Sequence, residues 1–123
     1  MPTVIGRPYS TFWRGSPPHM LREDVPIWTK CLEKYGDFYP EVYYDVAVGG
    51  PDLTTEELQD PLKRMWQYNN AKRIDAVIRL PDEAMIIEVS TTPGLRAIGQ
   101  LLTYVVLWQR DDPWGLLEKP YLI

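Results

Sequence analysis

The chain is poor in the side chains that most enzyme sites are built from. It has one cysteine, Cys31, and one histidine, His19, in 123 residues. A single cysteine excludes an intrachain disulfide and a cysteine-rich zinc site. One histidine with one cysteine leaves little for Ser-His-Asp, Cys-His or His-rich metal schemes. Phenylalanine is scarce too, at two residues, and no apolar run reaches the roughly 18 residues a membrane-spanning helix needs. The first 18 residues, MPTVIGRPYSTFWRGSPP, lack the apolar stretch of a secretory signal. A cytoplasmic or virion-associated protein with no membrane contact is expected. Positive charge is not in excess: net charge is −4, which gives no general attraction to nucleic acid. Between residues 63 and 96 the balance turns to plus two, with six Lys or Arg against four acids, a mild patch that a solvated face explains.

What is present is tryptophan and tyrosine, five and eight residues, whose polar tips and apolar bodies suit a small core or an interface equally. The length fits one domain, able to bury roughly two-thirds of its unfolded surface. Residues 1–23 carry four prolines, two glycines and no periodicity, and read as an extended arm preceding a domain over 24–123. Tyr9, Phe12 and Trp13 make such an arm costly to leave in water, so it is expected to dock on the domain or on another subunit. His19 reads as an arm or surface residue.

The first helix is predicted over 25–35, with Asp24 as cap, Pro26 in the first turn, Trp28, Cys31, Leu32 and Tyr35 at helical spacing, and Gly36 as stop. The segment 41–48, EVYYDVAV, reads as a strand ended by Gly49-Gly50-Pro51. Thr54 and Glu57 form a capping box, and Asp60-Pro61 restarts a helix, giving two short helices over 54–69. Strands over 73–80 and 85–90 are joined by a turn at Pro81-Asp82-Glu83-Ala84 and read as a hairpin. Thr91, Thr92 and Pro93 lead into a helix over 95–110, whose apolar face is read as Leu95, Ile98, Leu102, Val105 and Val106. A last short strand is expected over 118–123.

Two carboxylates interrupt this hairpin. Asp75 lies between Ile74 and Ala76, and Glu88 between Ile87 and Val89. Strand alternation puts Met85, Ile87 and Val89 on one face and Ile86, Glu88 and Ser90 on the other. A carboxylate within a hairpin is costly to bury unless it is paired or holds a cation. Two on adjacent strands suffice for Mg²⁺, which usually keeps several waters. On the helix that follows, Arg96, Gln100 and Tyr104 recur every fourth residue as a polar file able to face that pair. Simpler readings stand beside this one. Asp75 could pair with Arg73, Arg79 or Lys72, Glu88 with Arg96, and Gln100 with Tyr104 as a buried hydrogen-bonded couple.

The run R-I-D-A-V-I, M-I-I-E-V-S and A-I-G-Q-L-L-T-Y resembles the PD-(D/E)xK nuclease superfamily, most closely its RecB-type branch. The resemblance is good over 72–104 and loose over 25–123. It implies an α/β restriction-endonuclease-like core, ordered α-β-(αα insertion)-β-β-α-β, behind the N-terminal arm. It implies Asp75 and Glu88 as ligands of Mg²⁺ or Mn²⁺, and Gln100 with Tyr104 as the helix motif that supports the site or contacts DNA. The pattern departs from the family at Glu88-Val89-Ser90, where serine stands in place of the catalytic lysine and cannot supply a cation. Arg96, Lys72 and Lys63 are the candidate substitutes, none equivalent to a lysine in place. The expectation that follows is a nuclease fold without its chemistry and without a cofactor, reused as a structural or binding module. Its arm would engage other protein subunits, and the neck or tail of a tailed-phage virion is one setting for it. The alternative is an active Mg²⁺-dependent DNA nuclease with a displaced cation.

Overall fold

The computed structural model describes residues 3–92 and 94–123. Pro2 of the arm and Pro93 of the turn into the last helix lie outside the described residues. Among the described residues three α-helices and a four-stranded mixed sheet make the fold, in the order α1 (Val25–Tyr35), β1 (Tyr43–Val48), α2 (Pro61–Asn69), β2 (Lys72–Arg79), β3 (Glu83–Glu88), α3 (Leu95–Asp111) and β4 (Leu117–Leu122). The strands lie in chain order across the sheet. β1, β2 and β3 are antiparallel neighbours, and β4 returns parallel to β3 after α3. No helix among the described residues is long and apolar enough to cross a membrane.

Local chemistry accounts for most boundaries. The Thr54 hydroxyl accepts from the Glu57 N–H while the Glu57 carboxylate accepts from the Thr54 N–H, both at 3.1 Å, a reciprocal capping box. It starts only a 3₁₀ turn, Glu57–Gln59, rather than the first of two short α-helices. Asp60 then caps α2, its Oδ1 accepting from the Leu62 N–H at 2.9 Å ahead of Pro61. Asp60→Ala is expected to cost about 1 kcal/mol, a fall of about 4 °C in Tm by calorimetry for a domain of this size. The expected stop at Gly36 takes another form: its φ of −58° is right-handed, and the chain runs on as a 3₁₀ turn, Gly36–Phe38.

The sheet separates two cores. On one face Trp28 and Leu32 of α1 pack on Tyr44, Ala76, Ile78, Met85 and Ile87. The Trp28 indole N–H donates to the Tyr44 hydroxyl at 2.8 Å. On the other face Leu101, Tyr104 and Trp108 of α3 pack on Val46, Val48, Ile74, Val77 and Ile86. β3 alternates as predicted. β1 and β2 do not: Tyr44 faces α1 but Val46 faces α3, and Ile74 faces α3 but Ala76 faces α1. A regular strand keeps residues two apart on one face. The switch falls at Asp45 and Asp75, which stand opposite each other between the pairs Tyr44↔Ala76 and Val46↔Ile74. Asp45 has φ +51°, a left-handed backbone that Asp tolerates better than most residues. The twist swings both acids out of the two cores toward one end of the sheet.

Two expectations about packing are corrected. The predicted apolar face of the last helix is not the buried one. Leu95, Ile98, Leu102 and Val106 are exposed, Val105 is half-buried, and Ala97, Leu101, Tyr104 and Trp108 face the sheet. The side chain of Asp24 does not cap α1. Its carboxylate reaches across the fold and accepts from the Thr91 N–H, just past β3, at 3.1 Å. The arm lies along the free edge of β1, through antiparallel bridges Val4↔Ala47 and Tyr9↔Val42. Tyr9 and Trp13 stack on each other and on Tyr44. The arm thus packs two half-buried aromatics against its own domain and leaves Phe12 exposed.

Candidate functional site

An open cleft of 430 Å³ lies where β2, β3, α3 and the arm meet. Asp75, Glu88, Ser90, Arg96, Gln100 and Tyr104 all line it, whereas the candidate cations Lys72 and Lys63 do not. The hairpin brings Asp75 and Glu88 together because the sheet twist at Asp75 turns its carboxylate toward the end of β3. There Asp75 Oδ2 accepts from the Val89 N–H at 2.9 Å. Glu88 is 9 % exposed, and its Oε2 is buried with no hydrogen-bond partner. Trp108 Nε1, in the packed core under α3, is the other such atom among the described residues.

The two carboxyls are held far from their ordinary behaviour. Burial, with the nearby charges of Asp24 and Asp45, pushes Asp75 up to about 6, against the pull of the Val89 N–H. Burial, then the charges of Asp75 and Asp24, pushes Glu88 up to about 7. Tyr104, beside Glu88, is raised by burial and by the Glu88 and Asp75 charges. These are the marks of like charges concentrated without a compensating cation.

Among the described residues none of the proposed cationic partners forms an ion pair with Asp75 or Glu88. Arg73 does not pair with Asp75. Its Nη1 bonds both carboxylate oxygens of Asp45, at 2.8 and 2.9 Å, and its guanidinium stacks 3.4 Å from the Tyr68 ring centroid. The Tyr68 hydroxyl donates to the same Asp45 at 2.7 Å. Arg79 sits over Trp114. Lys72 is exposed at the start of β2, and Lys63 lies on α2 beside Glu56, Glu57 and Asp60. Arg96 lines the cleft but makes no ion pair with Glu88 among the described residues. The expected Gln100–Tyr104 couple is not formed either: Tyr104 is buried, Gln100 is exposed, and no hydrogen bond joins them. Ser90 contributes a hydroxyl that accepts from the Thr92 N–H at 3.3 Å, and no charge.

Among the described residues no three His, Cys, Asp or Glu side chains are gathered as a ready metal cage. Asp75 and Glu88 meet the smaller requirement of a hydrated Mg²⁺ or Mn²⁺, one or two carboxylates with the rest of the shell from water and substrate. The buried, unpartnered Glu88 Oε2 fits that role, since a hard cation would satisfy it.

Three cleft residues escape the sequence reading. Asp24 is read there as a cap. Asp45 carries the same signal as Asp75, an acid interrupting apolar strand residues, and is passed over. His19 is read as a surface residue, yet its Nε2 lies 3.6 Å from Asp45 Oδ2 on the cleft wall. Comparison with protein-family models, with curated proteins and with solved structures finds no match.

Proposed function

We propose that this chain is a divalent-cation-dependent phosphodiesterase of the nuclease type, with Asp75 and Glu88 as the cation ligands. The observation that carries this reading is the uncompensated pair itself. Glu88, buried, and Asp75, half-buried, are both held well above the ordinary carboxylate range at the floor of an open cleft, and Glu88 Oε2 has no hydrogen-bond partner. Leaving such a pair unpaired is costly, so it makes physical sense as a site that awaits a cation. The chain order of a helix, three antiparallel strands with α2 inserted between the first two, a helix and a parallel strand, with Asp75 and Glu88 on the second and third strands, supports a restriction-endonuclease-like core. Fold alone does not carry function, and the chemistry rests on the cleft.

A bound cation would polarise a phosphoryl oxygen and lower the pKa of an adjacent water. The residues of the chain have separate tasks. The Val89 N–H fixes the Asp75 carboxylate. Tyr104 stands beside Glu88 and limits its orientations. Arg96 and Gln100, on the exposed face of the α3 entrance, are placed to meet the backbone of a nucleic acid.

A second reading is favoured by Ser90. Without a lysine there, the same fold serves as a non-catalytic structural or binding module, such as a component of a tailed-phage neck or tail. Titration calorimetry with Mn²⁺ and Mg²⁺, followed by incubation with single- and double-stranded DNA, separates the two. The enzyme reading expects saturable Mn²⁺ binding and strand cleavage, both lost in Asp75→Asn. Absence of cleavage with binding intact supports the module.

A further inference from the structure

The cleft has a second wall that the carboxylate pair does not explain. It is built on the only histidine of the chain. The arm turns at Pro17-Pro18, closed by the Met20 N–H on the Pro17 carbonyl at 3.2 Å, and the buried Met20 pins the turn to the core. His19 stands at the apex, with its imidazole over Asp45 and largely open to the cleft. It makes no hydrogen bond to the protein among the described residues, so its donor capacity is unspent.

Strain is concentrated at the same point. Three non-glycine residues among those described have a left-handed backbone, and two of them, His19 at φ +61° and Asp45 at φ +51°, face each other here. Residues held in such regions cluster at binding and catalytic sites, where the surrounding structure fixes them. The charges are also arranged. The Asp45 carboxylate is already matched by Arg73, so the wall that carries His19 is not acidic, in contrast to the floor formed by Asp75 and Glu88. A phosphodiester entering the cleft is repelled by the floor unless a cation sits there, and finds basic side chains on this wall and at Arg96, with Ser90, Thr92 and Gln100 as neutral donors. Ser90, in the position of the lysine, offers no charge.

We infer that His19 is a substrate-binding residue, donating from its imidazole to a non-bridging oxygen of a phosphodiester held beside Asp75 and Glu88. Asp45 is its positioning residue. This rests on the phosphodiesterase reading, but the two can fail separately.

Because His19 is the only histidine, its imidazole Cε1–H gives one proton resonance in the full chain. Titration with the dinucleoside phosphodiester thymidylyl-thymidine, in the presence of Mg²⁺, is expected to move that resonance in a saturable way. His19→Gln and His19→Ala are expected to lower kcat/KM for Mn²⁺-dependent cleavage of single-stranded DNA by about 10- to 100-fold, the worth of one charge-assisted hydrogen bond. Mn²⁺ affinity by calorimetry should be unchanged in both. A resonance that stays still at millimolar dinucleotide overturns the assignment whether or not the protein cuts DNA. Wild-type cleavage by both variants overturns it while leaving the carboxylate site standing. A resonance that moves in a protein that binds no Mn²⁺ and cuts nothing keeps the His19 subsite and removes the phosphodiesterase reading.

Discussion

Glu88→Gln is expected to stabilise the metal-free protein at pH 8 by about 2 kcal/mol while abolishing cleavage. A glutamate in a structural ion pair would behave the opposite way. The sign follows from the direction of the shift. Glu88 is raised to about 7 from 4.5, first by burial and then by Asp75 and Asp24. A raised carboxyl binds its proton more tightly folded than unfolded, so its ionisation opposes folding. Each unit of difference is worth about 1.4 kcal/mol. The solvent in the open cleft and the coupling to Asp75 reduce the full conversion to roughly the figure given. Gln is isosteric and carries no charge, so the cost of a buried ionised carboxyl is removed. Asp75→Asn should act in the same direction, since the Asn carbonyl can still accept from the Val89 N–H. On the activity side, losing one of two cation ligands removes several kcal/mol of transition-state stabilisation, a fall of at least about 10³-fold in kcat/KM.

The pH window is fixed by the same two groups. Their stabilising contribution is fully present below about pH 4, where both are protonated in the folded and the unfolded chain alike. It is lost as pH rises through the folded values of about 6 for Asp75 and about 7 for Glu88, and is level above them. The pair titrates as a unit, so two overlapping steps are expected rather than one per residue. Thermal melts across pH 4–8 should therefore show metal-free wild type losing stability relative to Glu88→Gln as pH rises. Added Mn²⁺ should restore it at pH 8 in wild type only, because a ligand that binds the folded state stabilises by mass action. A pH-independent difference between the two proteins would remove the uncompensated pair from the account.

Much of this site was legible because its signal is local and costly. An acid between apolar neighbours, as at Asp75 and Glu88, conflicts with the strand around it, and strands violate their own pattern mainly where something other than packing is at stake. β3 was readable to the face of each side chain, because it is regular. The partners of the acids were not readable, and the reason is the paired twist at Asp45 and Asp75. Strict alternation would put Asp75 on the same face as its neighbour Arg73. The left-handed backbone at Asp45 instead turns that acid onto Arg73 and Tyr68, and Asp75 is left alone with Glu88. Asp24 and His19 come from positions 51 and 56 residues before Asp75 in the chain, and no periodicity connects them to it. Asp24 also satisfies every local rule for a helix cap, and the long-range bond to the Thr91 N–H overrides that rule.

Helix α3 shows the other limit, and a paired substitution exposes it. Leu101→Ala is expected to cost about 2–5 kcal/mol, and Leu102→Ala no more than about 0.5 kcal/mol, in urea unfolding at constant m. The two residues are adjacent and chemically identical. Leu101 is 5 % exposed against the sheet, in contact with the cluster of Val46, Ile74 and Ile86, and Leu102 is 53 % exposed. The sequence offers two faces at nearly the same helical spacing: Leu95, Ile98, Leu102 and Val106, or Ala97, Leu101, Tyr104 and Trp108. Counting aliphatic residues selects the first. The fold selects the second, because Ala97 permits close approach, Trp108 fills the far end against Trp114, and Tyr104 brings its hydroxyl to Glu88 while its ring packs in the core. A helix that must both seal a core and present a phenol to a buried carboxyl turns its mixed face inward, which leaves its more uniform aliphatic stripe in water. Equal losses at 101 and 102 would mean that this stripe is covered in solution and that α3 packs on both sides.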